Sequence, residues 1–345
     1  MDAIRINRQA ARLAALLLVG LALMGCNAKQ PASAFALPVA AAPAPRTLES
    51  TLRLHPDAQE IPFNPEIAGD AYGNAVAVWE QFDGTHYSIW GNDRAPVRGW
   101  GRAALFETDA SGHAYNPQVA RNERGSAMAV WVQSHDADKT YNIWSSRYEP
   151  DTGWGVATLV ETDDAGPAYA PRIAIDSSGN AIAVWQQSDG KRVNIRANRF
   201  VAGTGWGSAT RIETGKSNAG EPVVAMDAEG NAIAVWHRFD GKRGQLWFNR
   251  YAAGGVWGQA LLIESKPGYA HSTMIETEGG GHATVVWKQA DGLLTTTWAK
   301  HYRVGEGWSA ARQGCSPTAH SLAVPGQSGG IARPVVSDPE MKNCY

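Results

Sequence analysis

Asn231-Ala232-Ile233-Ala234-Val235-Trp236 is one of five near-copies of a single six-residue phrase. The others end at Trp79 (Asn-Ala-Val-Ala-Val-Trp), Trp131 (Ser-Ala-Met-Ala-Val-Trp), Trp185 (Asn-Ala-Ile-Ala-Val-Trp) and Trp287 (His-Ala-Thr-Val-Val-Trp). Their spacing of about 50 residues is that of a repeat architecture. Within the phrase apolar residues occupy consecutive rather than alternate positions. A strand of this kind has both faces covered.

Outward from the phrase the unit reads as four strands. A short apolar run opens it: Pro65-Glu-Ile-Ala, Pro117-Gln-Val-Ala, Pro171-Arg-Ile-Ala and Pro222-Val-Val-Ala. A turn follows, led by Asp or Asn and closed by Gly, as in Asp70 to Gly73, Asn122 to Gly125, Asp176 to Gly179 and Asp227 to Gly230. The tryptophan strand then runs into Asp-Gly hairpins at Asp83-Gly84, Asp189-Gly190, Asp240-Gly241 and Asp291-Gly292. A third strand carries Ile-Trp or Leu-Trp in three units. A fourth is announced by Trp100, Trp154, Trp206, Trp257 and Trp308, most of them in Gly-Trp-Gly. Four antiparallel strands per unit, with every sheet covered on both faces, predict an all-β protein: a β-propeller of about five four-stranded blades over residues 51–313. Thr51-Leu-Arg-Leu54 and Ala332-Arg-Pro-Val-Val-Ser337 resemble pieces of further strands, so a sixth blade stays open, as does closure of the ring by the tail at 314–345.

Here a resemblance enters. The array over residues 64–313 resembles the propeller families with kelch and sialidase-type repeats. More closely, it is similar to bacterial repeat lipoproteins bearing Gly-Asn-Ala-Ile-Ala-Val-Trp. The sialidase Asp-box spacing is missing, and the resemblance carries over no catalytic residue.

The N-terminus has its own logic. Arg5, Arg8 and Arg12 precede an apolar run from Leu13 to Leu23, too short for a comfortable membrane span and ending in small residues. Leu23-Met24-Gly25-Cys26 resembles a lipoprotein cleavage site, so residues 1–25 read as a signal peptide and Cys26 as the lipidated residue. Asn27 in place of Asp fits, by that resemblance, sorting to the bacterial outer membrane, and the Ala/Pro-rich stretch over 26–50 reads as a tether. In that oxidising setting Cys315 and Cys344 are a candidate disulfide.

Composition narrows the function classes. A formal charge of −2 gives no footprint for nucleic acid. The nine histidines show no paired ligand spacing, so no metal or other cofactor is expected. All 14 tryptophans fall between Trp79 and Trp308 and so belong to the repeat. Those of the second and third strands read as core. The Gly-Trp-Gly series reads as edge packing, with sugar stacking as the alternative. Repeated Glu107, Glu161, Glu213 and Glu264 and repeated Arg147, Arg199 and Arg250 read as blade-to-blade ion pairs, because a catalytic set converges once.

Function is therefore sought where the repeat breaks. By the propeller resemblance, the loops between blades share a face with the hairpins joining strands two and three. They carry a candidate ligand rim of Asp109, His113, Tyr115, Asp163, Asp164, Tyr169, Lys216, Tyr269 and His271. The expectation is a non-enzymatic envelope module that binds a protein or a glycan, held to the membrane by its lipid. The alternative is a glycan-acting hydrolase or lyase with its acid and base on the same rim.

Overall fold

The computed structural model describes residues 62–107, 112–135, 140–162, 166–239, 241, 244–264, 268–291 and 294–314. The signal peptide, Cys26, the tether, Asp109, Asp163, Asp164, Cys315, Cys344 and the strand-like pieces at 51–54 and 332–337 lie outside them. Within them the chain is all β, and five antiparallel sheets follow one another in sequence. In blade 1 the strands are Phe63–Gly69, Ala75–Phe82 and Tyr87–Ala95, followed by an outer strand broken into Gly99–Trp100 and Ala104–Leu105. Both outer pieces pair with the third strand. The unbroken fourth strand that the sequence suggested is thus interrupted, except in blade 4, where Leu261–Glu264 supplies most of it.

The first strands of the later blades are Ala114–Arg121, Ala168–Ile175, Ala219–Met226 and Tyr269–Gly279. Each packs beside the first strand of the blade before it, so these five strands lie nearest the axis. That arrangement is a β-propeller.

The repeated tryptophan explains the packing between blades. Trp79, Trp131, Trp185, Trp236 and Trp287 are fully buried. Trp185 sits among Met128, Val130, Val132 and Ile143 of blade 2, and Trp236 sits among Ile182, Val184 and Ile195 of blade 3. From blade 2 onward each indole therefore fills the gap toward the preceding blade, and the small alanines of the phrase leave it room. Trp79 packs within blade 1 against Ile67, Trp90 and Trp100. A buried indole N–H needs an acceptor. In four blades it donates to the glutamine two residues on: Trp79 to Gln81, Trp131 to Gln133 and Trp185 to Gln187, each at 3.1 Å, and Trp287 to Gln289 at 3.2 Å.

The asparagine of the phrase closes the turn at the opposite end of the strand. Asp176 Oδ1 accepts the amides of Ser178 and Asn180, and Oδ2 accepts from Asn180 Nδ2 at 2.8 Å. Asp70 with Asn74 and Asp227 with Asn231 repeat this. Gly179, at φ 82°, takes the left-handed position that ends the turn. These turns also tie neighbouring blades, since Asn122 Nδ2 donates to the Asp176 carbonyl and Gly281 N to Asp227 Oδ2.

The later tryptophans are packing residues. Trp154 lies 4.5 Å from the Phe106 ring of blade 1, and Trp308 lies 5.2 Å from Phe248 of blade 4. They are half-buried between blades and are not free platforms for sugars. The repeated Glu and Arg do not pair with each other. Arg147 reaches the turn of the next blade at the Gly179 carbonyl, 2.7 Å, and lies over Phe200. Glu161 instead caps the opposite end of its own blade, accepting the amide of Ile143 at 2.6 Å.

Candidate functional site at the propeller mouth

At the mouth, opposite the Asp turns, each inner strand begins with the same irregularity. Asn64, Asn116, Ala170, Glu221 and Ser272 have φ between 46° and 52°, a left-handed conformation in non-glycine residues. In each strand the pairing register slips there, as between Tyr115 and Gln118 or between His271 and Met274. Such a conformation costs about 1–3 kcal/mol per residue and concentrates where structure serves function. The fold repeats the bulge, while the residue type varies from blade to blade.

A second varying position faces these bulges. The residue after the buried tryptophan is Glu80, Val132, Gln186, His237 or Lys288. Three of the five reach the bulge of the next blade. Glu80 Oε1 accepts the Asn116 amide at 2.7 Å and also Asn64 Nδ2 at 2.9 Å. Gln186 Oε1 accepts the Glu221 amide at 3.3 Å, and His237 Nε2 meets Thr273 Oγ1 at 2.7 Å. At the junction of blades 2 and 3 the pair is Val132 and Ala170. Neither side chain has a polar atom, so no such tie forms.

Beside that junction a cavity of about 320 Å³ opens across blades 1 to 3, lined by Asn64, Glu80, Tyr115, Asn116, Val132, Tyr141 and Tyr169. Its size falls within the range of small-ligand pockets. Tyr141 and Tyr169 hold their rings 5.1 Å apart. Tyr115 is braced by Tyr87 at 5.8 Å and by a stacked His113 at 5.7 Å. Burial, reinforced by Tyr141 beside both, raises the phenols of Tyr115 and Tyr169 above their ordinary range, so they stay protonated. The pocket thus offers aromatic faces, phenol and amide donors and acceptors, and one carboxylate that is 6 % exposed.

The sequence-derived rim is partly assembled here. Tyr115 and Tyr169 line the pocket and His113 supports it from behind. Tyr269 and His271 gather elsewhere on the mouth, around His237, with the Tyr269 ring 6.2 Å from each of the two imidazoles. Lys216 is exposed in the loop between blades 3 and 4 and joins neither group. The sequence reading missed Glu80, Asn64, Asn116 and Tyr141. The available signal was the variable residue after each tryptophan, facing a position that also varies.

Blade 4 departs further. Arg238 replaces the glutamine, leaving the buried Trp236 Nε1 without a partner among the described residues. Arg238 turns to Glu213 Oε2 at 2.6 Å, and Arg211 meets the other oxygen of Glu213 at 3.0 Å. In blade 1 Glu107 accepts the Ile89 amide at 2.5 Å through Oε1, but its buried Oε2 has no hydrogen-bond partner among the described residues. Burial raises the Glu107 carboxyl to about 7, against the Ile89 amide that favours its charged form. Among the described residues no group of three or more His, Cys, Asp or Glu is placed to hold a metal ion.

No family model matches this chain, and neither does any curated protein. Solved structures do resemble it. A protein of unknown function from Dyadobacter fermentans is 11 % identical, with a TM-score of 0.46 over 70 % of this chain and 78 % of that one. An α-L-arabinanase of Penicillium chrysogenum bound to arabinobiose is 14 % identical, TM-score 0.47, over 73 % and 80 %. An ulvan lyase, a polysaccharide lyase, is 10 % identical, TM-score 0.49, over 72 % and 69 %.

Proposed function

We propose that this chain is an envelope lipoprotein whose propeller binds a glycan in the pocket at its mouth, across blades 1 to 3. The observation that supports this most is the meeting of Tyr115, Tyr141 and Tyr169 with Glu80, Asn64 and Asn116 beside the junction of blades 2 and 3, where the inter-blade tie is missing. Flat aromatic faces suit the C–H faces of a sugar ring, and amide and carboxylate groups suit its hydroxyls. Glu80 is the one ionisable side chain other than tyrosine in the lining, so the pocket disfavours acidic sugars and takes neutral or amino sugars. Binding is preferred to glycosidic cleavage because cleavage commonly uses a pair of carboxyl groups about 5–9.5 Å apart. The pocket lining contains one carboxylate.

The lipidated Cys26 and the tether would hold this site near the outer membrane, a part of the proposal that acyl labelling of wild type and Cys26→Ala would test. For the pocket, the full chain in detergent is applied to an array of neutral, amino and acidic glycans. Retention of neutral or amino members, without shortening of the glycan, is expected. Failure to retain any class would remove the proposal. Chain shortening would turn it toward the hydrolase or lyase reading.

A further inference from the structure

The junction of blades 4 and 5 breaks the repeat in a second way. Four inner strands place proline after the left-handed residue: Pro65, Pro117, Pro171 and Pro222. The fifth places Thr273 there, and the residue after the blade 4 tryptophan is the one histidine among the five repeats at that position, His237. The two side chains meet, Nε2 to Oγ1, at 2.7 Å. On the other side of the ring Nδ1 lies 3.4 Å from Glu221 Oε2, within ion-pair distance and outside hydrogen-bond geometry. Carboxylate, imidazole and hydroxyl therefore stand in series, contributed by the inner strand of blade 4, the second strand of blade 4 and the inner strand of blade 5.

We propose that Glu221, His237 and Thr273 form a nucleophilic site that hydrolyses a carboxylic ester. This goes beyond glycan binding, rests on different residues and does not depend on it. The chemistry follows from the series. A ring with its proton on Nδ1, facing Glu221, leaves Nε2 to accept the hydroxyl proton of Thr273. Thr273 Oγ1 bonds to the acyl carbon, the C–O bond to the alcohol breaks, and the alcohol leaves with the proton returned from His237. Water, deprotonated by His237, then cleaves the acyl-threonine, releasing the acid and restoring the hydroxyl.

Two surroundings support the assignment. Burial, with the nearby His271, lowers the His237 pKa, opposed by the Glu221 carboxylate and the Ala270 carbonyl. That favours the neutral imidazole a general base requires. The amide of the bulge residue provides the second. In Asn116 and Glu221 that amide is taken by the side chain after the preceding tryptophan. In Ser272 it has no such acceptor, because His237 is engaged with Thr273, and neither Ser272 nor Thr273 has a ladder partner. The Ser272 amide stands beside the nucleophile, where a developing oxyanion needs a donor. Glu221 is 61 % exposed on its side chain, so solvent screens its support of the imidazolium. The site therefore suits an ester, with its good leaving group, rather than an amide.

The test uses the full chain with p-nitrophenyl acetate, coupling turnover to peptide mapping of the acetyl adduct in a rapid quench. The expected result is an adduct on Thr273 and turnover reduced at least about 100-fold in Thr273→Ala and in His237→Ala. Thr273→Ser should retain turnover, and Glu221→Gln should lower it about tenfold. Thr273→Ser also keeps the test decisive if the alanine variants fail to fold. Absence of wild-type turnover above buffer, an adduct on another residue, or undiminished turnover in folded Thr273→Ala overturns the proposal.

Discussion

Arg238 lies over the ring of Trp247, with its guanidinium carbon 3.9 Å from the centroid, in the position where the other four blades place a glutamine. The exchange trades an indole acceptor for an ion pair with Glu213. Gln187 shows what a glutamine achieves at this position, since it serves Trp185 and Glu161 together. Arg238→Gln should therefore be nearly neutral, within about 1 kcal/mol, because the shorter side chain can make both bonds. Arg238→Ala removes one partner from a buried charge and should cost about 3 kcal/mol. Urea denaturation of both variants against wild type checks this, and equal losses would contradict it.

Trp185→Ala empties a fully buried site between blades 2 and 3 and leaves Gln187 without its indole donor. A loss of about 3–5 kcal/mol is expected from equilibrium unfolding. Trp206→Ala should cost less, because Trp206 is half-buried at the outer edge, although its indole donates to Ser145 at 2.8 Å.

Glu107 predicts a pH dependence with a definite sign. Its carboxyl is raised to about 7 in the folded chain, so the folded state holds the proton more tightly than the unfolded state. The stability this group contributes is fully present below its ordinary value of 4.5 and is lost as pH rises through about 7. Glu107→Gln keeps an acceptor for the Ile89 amide and cannot ionise. It should flatten the stability profile between those limits and stabilise the chain at pH 8 by on the order of 2 kcal/mol. An unchanged slope in the variant would refute the assignment.

The left-handed bulges make a further prediction. Ala170 has φ 50° without a side-chain hydrogen bond to support it. Ala170→Gly should raise stability by roughly 0.5–1 kcal/mol as strain is relieved. Ala183→Gly, in the regular second strand, should lower it. Thermal unfolding of the pair reads the difference in sign.

Much of this fold is legible in the sequence because repetition exposes its physical requirements. Consecutive apolar residues before Trp185 demand two covered faces, and the spacing of Asp176, Gly179 and Asn180 fixes the turn they build together. The broken outer strand was not legible, since Gly-Trp-Gly signals a strand start but not its interruption. The site was legible only in outline. Tyr115 and Tyr169 stand out in loops that vary, but Glu80 looks like one more strand residue until the bulge of the next blade is seen to face it. His237 and Thr273 are joined across two blades, a relation no local pattern encodes. The left-handed residues were hidden for a related reason, because Asn, Ala, Glu and Ser share no turn signature.

The account rests most directly on the pocket formed by Glu80, Tyr115, Tyr141 and Tyr169. Calorimetric titration of the full chain with the best neutral or amino glycan from the array should give saturable binding. Tyr141→Ala removes the ring 5.1 Å from Tyr169 and should weaken that binding at least about tenfold, near 1.4 kcal/mol, without lowering the melting temperature appreciably. Equal affinity in wild type and Tyr141→Ala would contradict the account.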